Sequence, residues 1–297
     1  MKQIVALVLG VAALLGCSHV ADAREVPSKP APARVVAVGD FHSDYPSTLK
    51  VLMLANITDK NGDWVGGSTT FVQTGDVVDR GPDTIKLYDM MRRLQKQAKE
   101  AGGRVVPLLG NHEVMNMAND LRYVTPEDFA SFGGDEQRAH EWSAKGELGS
   151  WLRGLGITTK VGGTVFVHGG IHPSWARHGV RKLNEMARAA LTLPPDQIHR
   201  QAIFDGKSPI WYRGYASNPE ATECAVLEQA LNYLGAKRMV VGHTPQQSGK
   251  ILKRCGGKVF VIDVGISRYY GFGYAALEIL NDETVNALYP DNGHDEL

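Results

Sequence analysis

Five apolar runs in this chain break off into glycine or histidine and then into polar side chains able to hold a metal: "RVVAVGDFHSD", "TTFVQTGDVVDRGPD", "RVVPLLGNHE", "GTVFVHGG" and "KRMVVGHTP". Desolvating charge is costly, so a chain that repeatedly places it at the mouth of a buried strand needs compensating partners there. In open α/β sheets ligands collect beyond the carboxyl ends of the strands, where loops converge and helix N-termini favour anions. The pattern therefore predicts five strands delivering polar groups to one rim.

Between these runs the pattern alternates. Strand-like "RVVAV", "TTFVQ" and "RVVPLL" are separated by helical stretches within Pro46 to Asn56 and from Asp83 to about Ala101. This rhythm predicts an α/β sheet with crossover helices. After Gly110 the chain reads as mostly helical to about Leu155, with Thr125 as a cap in "TPEDF". "GKVFVIDVG" and "YAALEIL" make the second half strand-dense, which predicts a second sheet packed on the first. At 297 residues with 43% hydrophobic content, one large domain is expected. Lys+Arg and Asp+Glu both total 32, so no net field draws nucleic acid, and the basic run Arg92 to Lys99 reads as a solvated helix face.

The N-terminus reads as a targeting segment. "MKQIVALVLGVAALLGC" has a basic start and an apolar run shorter than the ~20 residues of a membrane span, and "ADA" offers a cleavage site ending at Ala23. "LLGC" also resembles a bacterial lipobox, which would lipidate Cys17 and supply the only membrane contact. Both readings imply export, to the periplasm, the outer membrane or beyond. The expected organisation is a signal segment at 1–23, a Pro-rich tether at 24–33, a domain at 34–290 with a helical cap insertion at 114–156, and a tail at 291–297. Cys224 and Cys255 would reach an oxidising compartment, where a disulfide is permitted; two free thiols are the alternative.

Asp40, His42, Asp76, Asn111, His168 and His243 offer carboxylate, imidazole and amide donors without a thiolate, a mixture that suits Mn, Fe or Zn. A carboxylate can bridge two ions, and Asp76 is best placed to do so. Two ions about 3.5–4 Å apart clamp a phosphoryl group and acidify a shared water. His19, His140, His178, His199 and His294 are read as ordinary polar residues; His172 rivals His168, but only His168 ends its strand.

In this order, "GDFHSD", "GDVVDRG", "GNHE", "HGG" and "GHTP" resemble the calcineurin-like metallophosphoesterase superfamily. "DRG" and "GNHE" point to its phosphoprotein phosphatase branch, and "SPIWYRGYA" to the bacterial Shewanella-like phosphatases. The resemblance spans roughly Arg34 to Leu280. It implies a two-sheet β-sandwich flanked by helices, a four-layer αββα fold, and a binuclear site of two divalent ions. Asp40, His42 and Asp76 would hold the first ion, and Asp76, Asn111, His168 and His243 the second. A metal-bridging hydroxide would attack phosphorus, with Arg80, Arg213 and Asn111 on the phosphate. His112, oriented by Asp79, would be the general acid, and Glu113 a supporting residue. The expected substrate is a phosphorylated protein, peptide or small phosphoester. A symmetrical dinucleoside polyphosphate hydrolase and an inactive metal-binding surface module are the alternatives.

Two departures stand out. Ser43 replaces the glycine usual after the histidine of the first motif and is expected to set a side chain beside the metal rim. Pro245 takes the place of a second histidine, as in the phosphoprotein phosphatase branch. Asp44 is expected to cap the helix begun by Pro46. Asp263 in "FVIDVGIS" is read either as a partner for His243 or as a turn cap. Tyr123, Phe129, Phe132, Trp142 and Trp151 are read as the core of the helical cap.

Overall fold

The computed structural model describes residues 32–290 and 293–296; the expected signal segment and nearly all of the tether lie outside the described residues. Two mixed sheets with flanking helices form the α/β architecture that the resemblance implies. The first runs β11-β10-β9-β1-β2-β3, from β1 (Arg34–Val38), β2 (Thr70–Gln73), β3 (Arg104–Pro107), β9 (Ala276–Leu280), β10 (Thr284–Tyr289) and β11 (Gly293–Glu296). The second runs β4-β5-β6-β8-β7, from β4 (Thr158–Val161), β5 (Thr164–Val167), β6 (Arg238–Val241), β7 (Leu252–Arg254) and β8 (Val259–Val261).

Each sheet contains a run of three parallel strands, at one edge of the first sheet and at the centre of the second. β1 pairs β2 and β2 pairs β3, while β5 pairs β6 and β6 pairs β8. Parallel neighbours send their carboxyl ends to one edge, so "GD", "GN" and "GH" emerge together. These strands are apolar on both faces, as helix-covered parallel strands are: β2, β5 and β6 are buried at every position. Antiparallel β9, β4 and β7 flank them. β4, β7 and β10 escape the sequence reading because each short run lacks a polar strand-end signature. The residues read as a tail are corrected here: Gly293–Glu296 pair antiparallel with β10 and extend the sheet.

The helices begin where the local chemistry starts them. Asp44 accepts the Ser47 amide and Pro46 sits in the first turn of α1 (Tyr45–Leu54). In α2 (Thr84–Glu100) the buried Leu87, Tyr88, Met90, Met91, Leu94 and Ala98 recur every three or four residues, so one stripe faces the core. Helices α3 (Asn111–Met117), α4 (Pro126–Ser131), α5 (Asp135–Trp142) and α6 (Glu147–Gly154) follow β3, and Thr125 caps α4 through the Asp128 amide. The cap packs on the domain at Tyr88, whose ring meets Trp142 and Trp151 edge-on. A single buried core draws on both sheets and on α2, α3 and α6. Among the described residues no helix is long and apolar enough to cross a membrane.

Candidate metal centre

Backbone hydrogen bonds lace the rim together. The Phe41 and His42 amides both donate to the Asp76 carbonyl at 3.0 Å, and the Ser43 amide donates to the Val77 carbonyl at 2.8 Å. Glycine is required where the second and third loops touch: a Cβ on Gly75, at φ 101°, would lie 2.4 Å from the Gly110 nitrogen, and one on Gly110 would lie 2.1 Å from Asp76 Oδ1. Non-glycine residues also take the left-handed conformation here, among them His42, Asp76, Asp79, Arg80 and His243 at φ 46° to 73°. Each such residue costs energy and persists only when its surroundings over-determine it. Glu113 supplies part of that bracing, accepting the Asp76, Val77 and Gly110 amides and the Tyr88 hydroxyl.

The structure brings all the expected ligand residues together, buried. His42, Asp76 and His112 form one group whose donor atoms lie within 4.8 Å of one another, and Asp76, His168 and His243 form a second. Asp76 belongs to both. Asp40 lies between them: its Oδ2 is 3.9 Å from His42 Nε2, and its Oδ1 accepts the His243 amide at 3.2 Å. Asn111 Oδ1 stands 2.9 Å from His168 Nε2.

The donor chemistry fits cations. His42 Nδ1 faces the Val78 carbonyl and His168 Nδ1 the Thr74 carbonyl, so in its neutral form either ring would carry its proton on Nδ1 and turn the Nε2 lone pair to the rim. His168 Nε2 then confronts Asn111 Oδ1 and, at 3.2 Å, Asp76 Oδ2, all of them acceptors. His243 Nε2 and Asp263 Oδ2 are buried without a hydrogen-bond partner among the described residues. Acceptors that converge without donors call for positive charge. Burial, with Asp263 and Asp76 close by, pushes the Asp40 carboxyl well above its ordinary range, and burial pushes Asp263 up to about 6. Burial, together with neighbouring His112, brings His42 down to about 3, and burial beside His168 also depresses His243. These are rings kept neutral, as ligation requires.

His112 differs. Its Nδ1 lies 2.6 Å from Asp79 Oδ2, and although burial opposes protonation, Asp76 and Asp79 hold its pKa above the ordinary value. Asn116, four residues on, donates to Asp79 Oδ1 at 3.0 Å and to the His112 carbonyl at 2.9 Å, and accepts from Arg138 at 2.7 Å. Arg80 and Arg213 have no acid within ion-pair distance among the described residues. The Arg80 guanidinium lies 4.6 Å from the Tyr123 ring, 4.7 Å from Tyr269 and 5.5 Å from Tyr270, with its Nε unpartnered. Arg213 donates to the His243 carbonyl and the Thr244 hydroxyl.

Several expectations are corrected. Ser43 does not face the metal rim: it is fully buried with Oγ 2.7 Å from Thr84 Oγ1, because the backbone turns it under α2. Tyr123 belongs to the wall around Arg80 and His112, not to the cap core, since it precedes α4 and returns beside the rim. Asp263 accepts the Gly265 amide, the turn-capping alternative, and makes no hydrogen bond to His243. His172 caps the short helix Pro173–Ala176 through the Ser174 amide and is not among the ligands. Cys224 and Cys255 form a disulfide. Sequence reasoning missed Asn116, Arg138, Tyr269 and Tyr270. Asn116 carried one signal, its four-residue spacing from His112 on a helix.

Comparison with known proteins agrees with this geometry. The family described as calcineurin-like phosphoesterase matches residues 33–247. Shewanella-like protein phosphatase 2 of Arabidopsis thaliana is 31% identical, over 88% of this chain and 80% of its own length. Shewanella-like protein phosphatase 1 of Plasmodium berghei is 30% identical, over 86% and 74%. Among solved structures, the cold-active protein-tyrosine phosphatase of a psychrophile Shewanella superposes with a TM-score of 0.80 at 30% identity, covering 91% of this chain and 81% of the other.

Proposed function

The chain belongs to the calcineurin-like phosphoesterase family, within its Shewanella-like branch, and is a metal-dependent hydrolase; from that premise we propose that it removes phosphate from phosphorylated proteins or peptides, with phosphotyrosine preferred. The observation that carries this reading is the pair of overlapping donor groups joined at Asp76, beside an arginine walled by tyrosines and left without an acid. The likeness to the protein-tyrosine phosphatase of a psychrophile Shewanella supports the aryl preference.

Asp40, His42 and Asp76 would hold one divalent ion, and Asp76, Asn111, His168 and His243 a second, of Mn, Fe or Zn. Bound there, the ions would polarise the phosphoryl oxygens and acidify water. The other residues act on the phosphate and the proton. Arg80 and Arg213 take phosphate oxygens as forked, permanently charged donors, with the amide of Asn111 beside them. Asp79 accepts the Nδ1 proton of His112 and so fixes the ring; Nε2–H then faces the rim and protonates the departing oxygen. Tyr123, Tyr269 and Tyr270 offer ring faces and edges to the phenyl group of phosphotyrosine. The disulfide supports the expected export, which fractionation of the native host would test.

The decisive experiment is phosphate release by residues 24–297 from matched phosphotyrosine, phosphoserine and phosphothreonine peptides and from diadenosine tetraphosphate, with Mn and with Asp76→Asn alongside. The reading expects release from peptides, fastest from phosphotyrosine, abolished in the variant. Cleavage of the dinucleotide alone overturns it.

A further inference from the structure

One cavity of note lies away from the metal rim. It lies in the helical cap, about 560 Å³, within the range of small-molecule sites. Met117, Leu121, Phe129, Trp142 and Leu193 give it apolar walls. Its polar wall includes two arginines, Arg138 and Arg153, and one exposed carboxylate, Asp135. Arg153 is held in place by three carbonyls: its Nε donates to Leu191, and its Nη1 to Trp142 and Gly149, at 2.9 to 3.2 Å. Carbonyls orient the guanidinium without cancelling its charge. No carboxylate among the described residues stands within ion-pair distance, and Nη2 makes no hydrogen bond there. Burial pulls its pKa below the ordinary value, as expected of a cation lacking a counter-ion. The Trp142 Nε1–H, in a residue 4% exposed, also has no partner among the described residues. The second cation of the wall, Arg138, is buried and already neutralised by Asp128 at 2.9 Å.

We propose that this cavity binds a small amphipathic carboxylate, its anionic head on Arg153 and its apolar body against Phe129 and Trp142, and that occupancy is felt at the metal rim. An oriented guanidinium with one free nitrogen takes a carboxylate through a charge-assisted hydrogen bond. The route to the rim consists of two further wall residues: Arg138 donates to Asn116, and Asn116 donates to Asp79, the partner of His112. A ligand packed on Arg138 and Asn116 acts on the carboxylate that orients the histidine. The binding half is independent of the proposed catalytic roles; the coupling half rests on His112 and Asp79 being the proton donor and its anchor.

The test uses residues 24–297 and three probes of one shape: 1-naphthylacetate, 1-naphthylethanol and 1-naphthylethylamine. Calorimetry is expected to show the acid binding at least about tenfold tighter than the alcohol, the contribution of one charge-assisted hydrogen bond, with no heat from the amine. Arg153→Gln removes that advantage. Because Arg153 also ties down carbonyls, Ala139→Phe, on the exposed cavity wall, serves as a second variant that fills the cavity and lowers acid affinity about tenfold or more through overpacking. Equal affinity for acid and alcohol, or acid binding untouched by both variants, overturns the site. For the coupling, saturating acid is expected to change kcat on p-nitrophenyl phosphate about fivefold, a typical allosteric factor, with KM unmoved and with no change in Ala139→Phe. Calorimetric binding without any change in kcat overturns the coupling and leaves the cavity site standing.

Discussion

The metal rim and the Arg138 site of the helical cap both bury charge, and they neutralise it in opposite ways. In the cap, Arg138 is 1% exposed, meets Asp128 at 2.9 Å and Asn116 at 2.7 Å, and lies against the rings of Phe129, Phe132 and Trp142. Its partners come from the chain itself. At the rim, Asp40, Asp76 and Asp263 crowd together, the imidazole lone pairs of His42 and His168 point inward, and the nearby arginines have no acid. There the balancing charges must come from outside, as metal ions and phosphate. Buried charge with internal partners is architecture, and buried charge without them marks where ligands go.

The sharpest way to break this comparison is one substitution in each region. Asp40→Asn is expected to lower kcat/KM by about 10³-fold or more, the several kcal/mol an electrophilic ion supplies. In chelator its thermal midpoint should equal or exceed that of the parent, because a crowded carboxylate has been removed and the Oδ1 acceptor for His243 kept. Mn should raise the parent's midpoint by mass action and do so far less in the variant. A large loss of metal-free stability would show that Asp40 is structural after all. Arg138→Met should do the reverse: denaturant unfolding is expected to show a loss of about 3–5 kcal/mol, because Asp128 is left buried and unpaired. If Arg138→Met proved harmless, the cap pair would lose its status as architecture.

The sequence legibility of the two regions differs for the same reason. Rim charges follow apolar strands at glycines, so each announces itself locally: Gly75 and Gly110 sit where loops touch, and Asp40, Asp76 and His243 follow such glycines directly. Helix starts were equally local, as with Asp44 and Thr125. The cap network is written in tertiary contacts. Arg138, inside "DEQRAHEW", looks like one more solvated helix charge until α4 brings Asp128 to it. Tyr269 and Tyr270 lie far from "DRG" in the chain and reach Arg80 only because β9 returns beside β1. Ser43 misled because its position beside His42 says nothing about the left-handed turn, φ 51°, that sends it inward.

A third device, neither ion pair nor ligand, holds the segment of Arg213. Arg254 donates to the Tyr215 and Asn218 carbonyls, and the disulfide ties neighbouring Cys255 to Cys224 on the helix Glu220–Leu234. With the cysteines 31 positions apart in the chain, the double variant Cys224→Ser, Cys255→Ser is expected to lose roughly 3–4 kcal/mol by loop entropy. Its KM for p-nitrophenyl phosphate should rise more than kcat falls, since the segment carries Arg213, the proposed phosphate-binding residue, and not His112, the proposed proton donor. A kcat loss as large as that of His112→Asn would place the segment with the rim and contradict this.

The smallest expected effect separates two jobs that the tyrosine wall could do for Arg80. Tyr269 is 61% exposed, and its ring lies 4.7 Å from the guanidinium. An exposed cation–π contact contributes about 0.5–1 kcal/mol, so if Tyr269→Leu merely loosens Arg80, phosphotyrosine and phosphoserine peptides should lose kcat/KM equally, by about two- to fivefold. If the ring also packs on the substrate, only phosphotyrosine loses the further ~0.5–1.5 kcal/mol of an aromatic pair. The proposed aryl preference requires the second outcome, a fall in the phosphotyrosine to phosphoserine ratio of about two- to tenfold. An unchanged ratio would assign the wall to Arg80 alone and remove the rim's own contribution to choosing tyrosine.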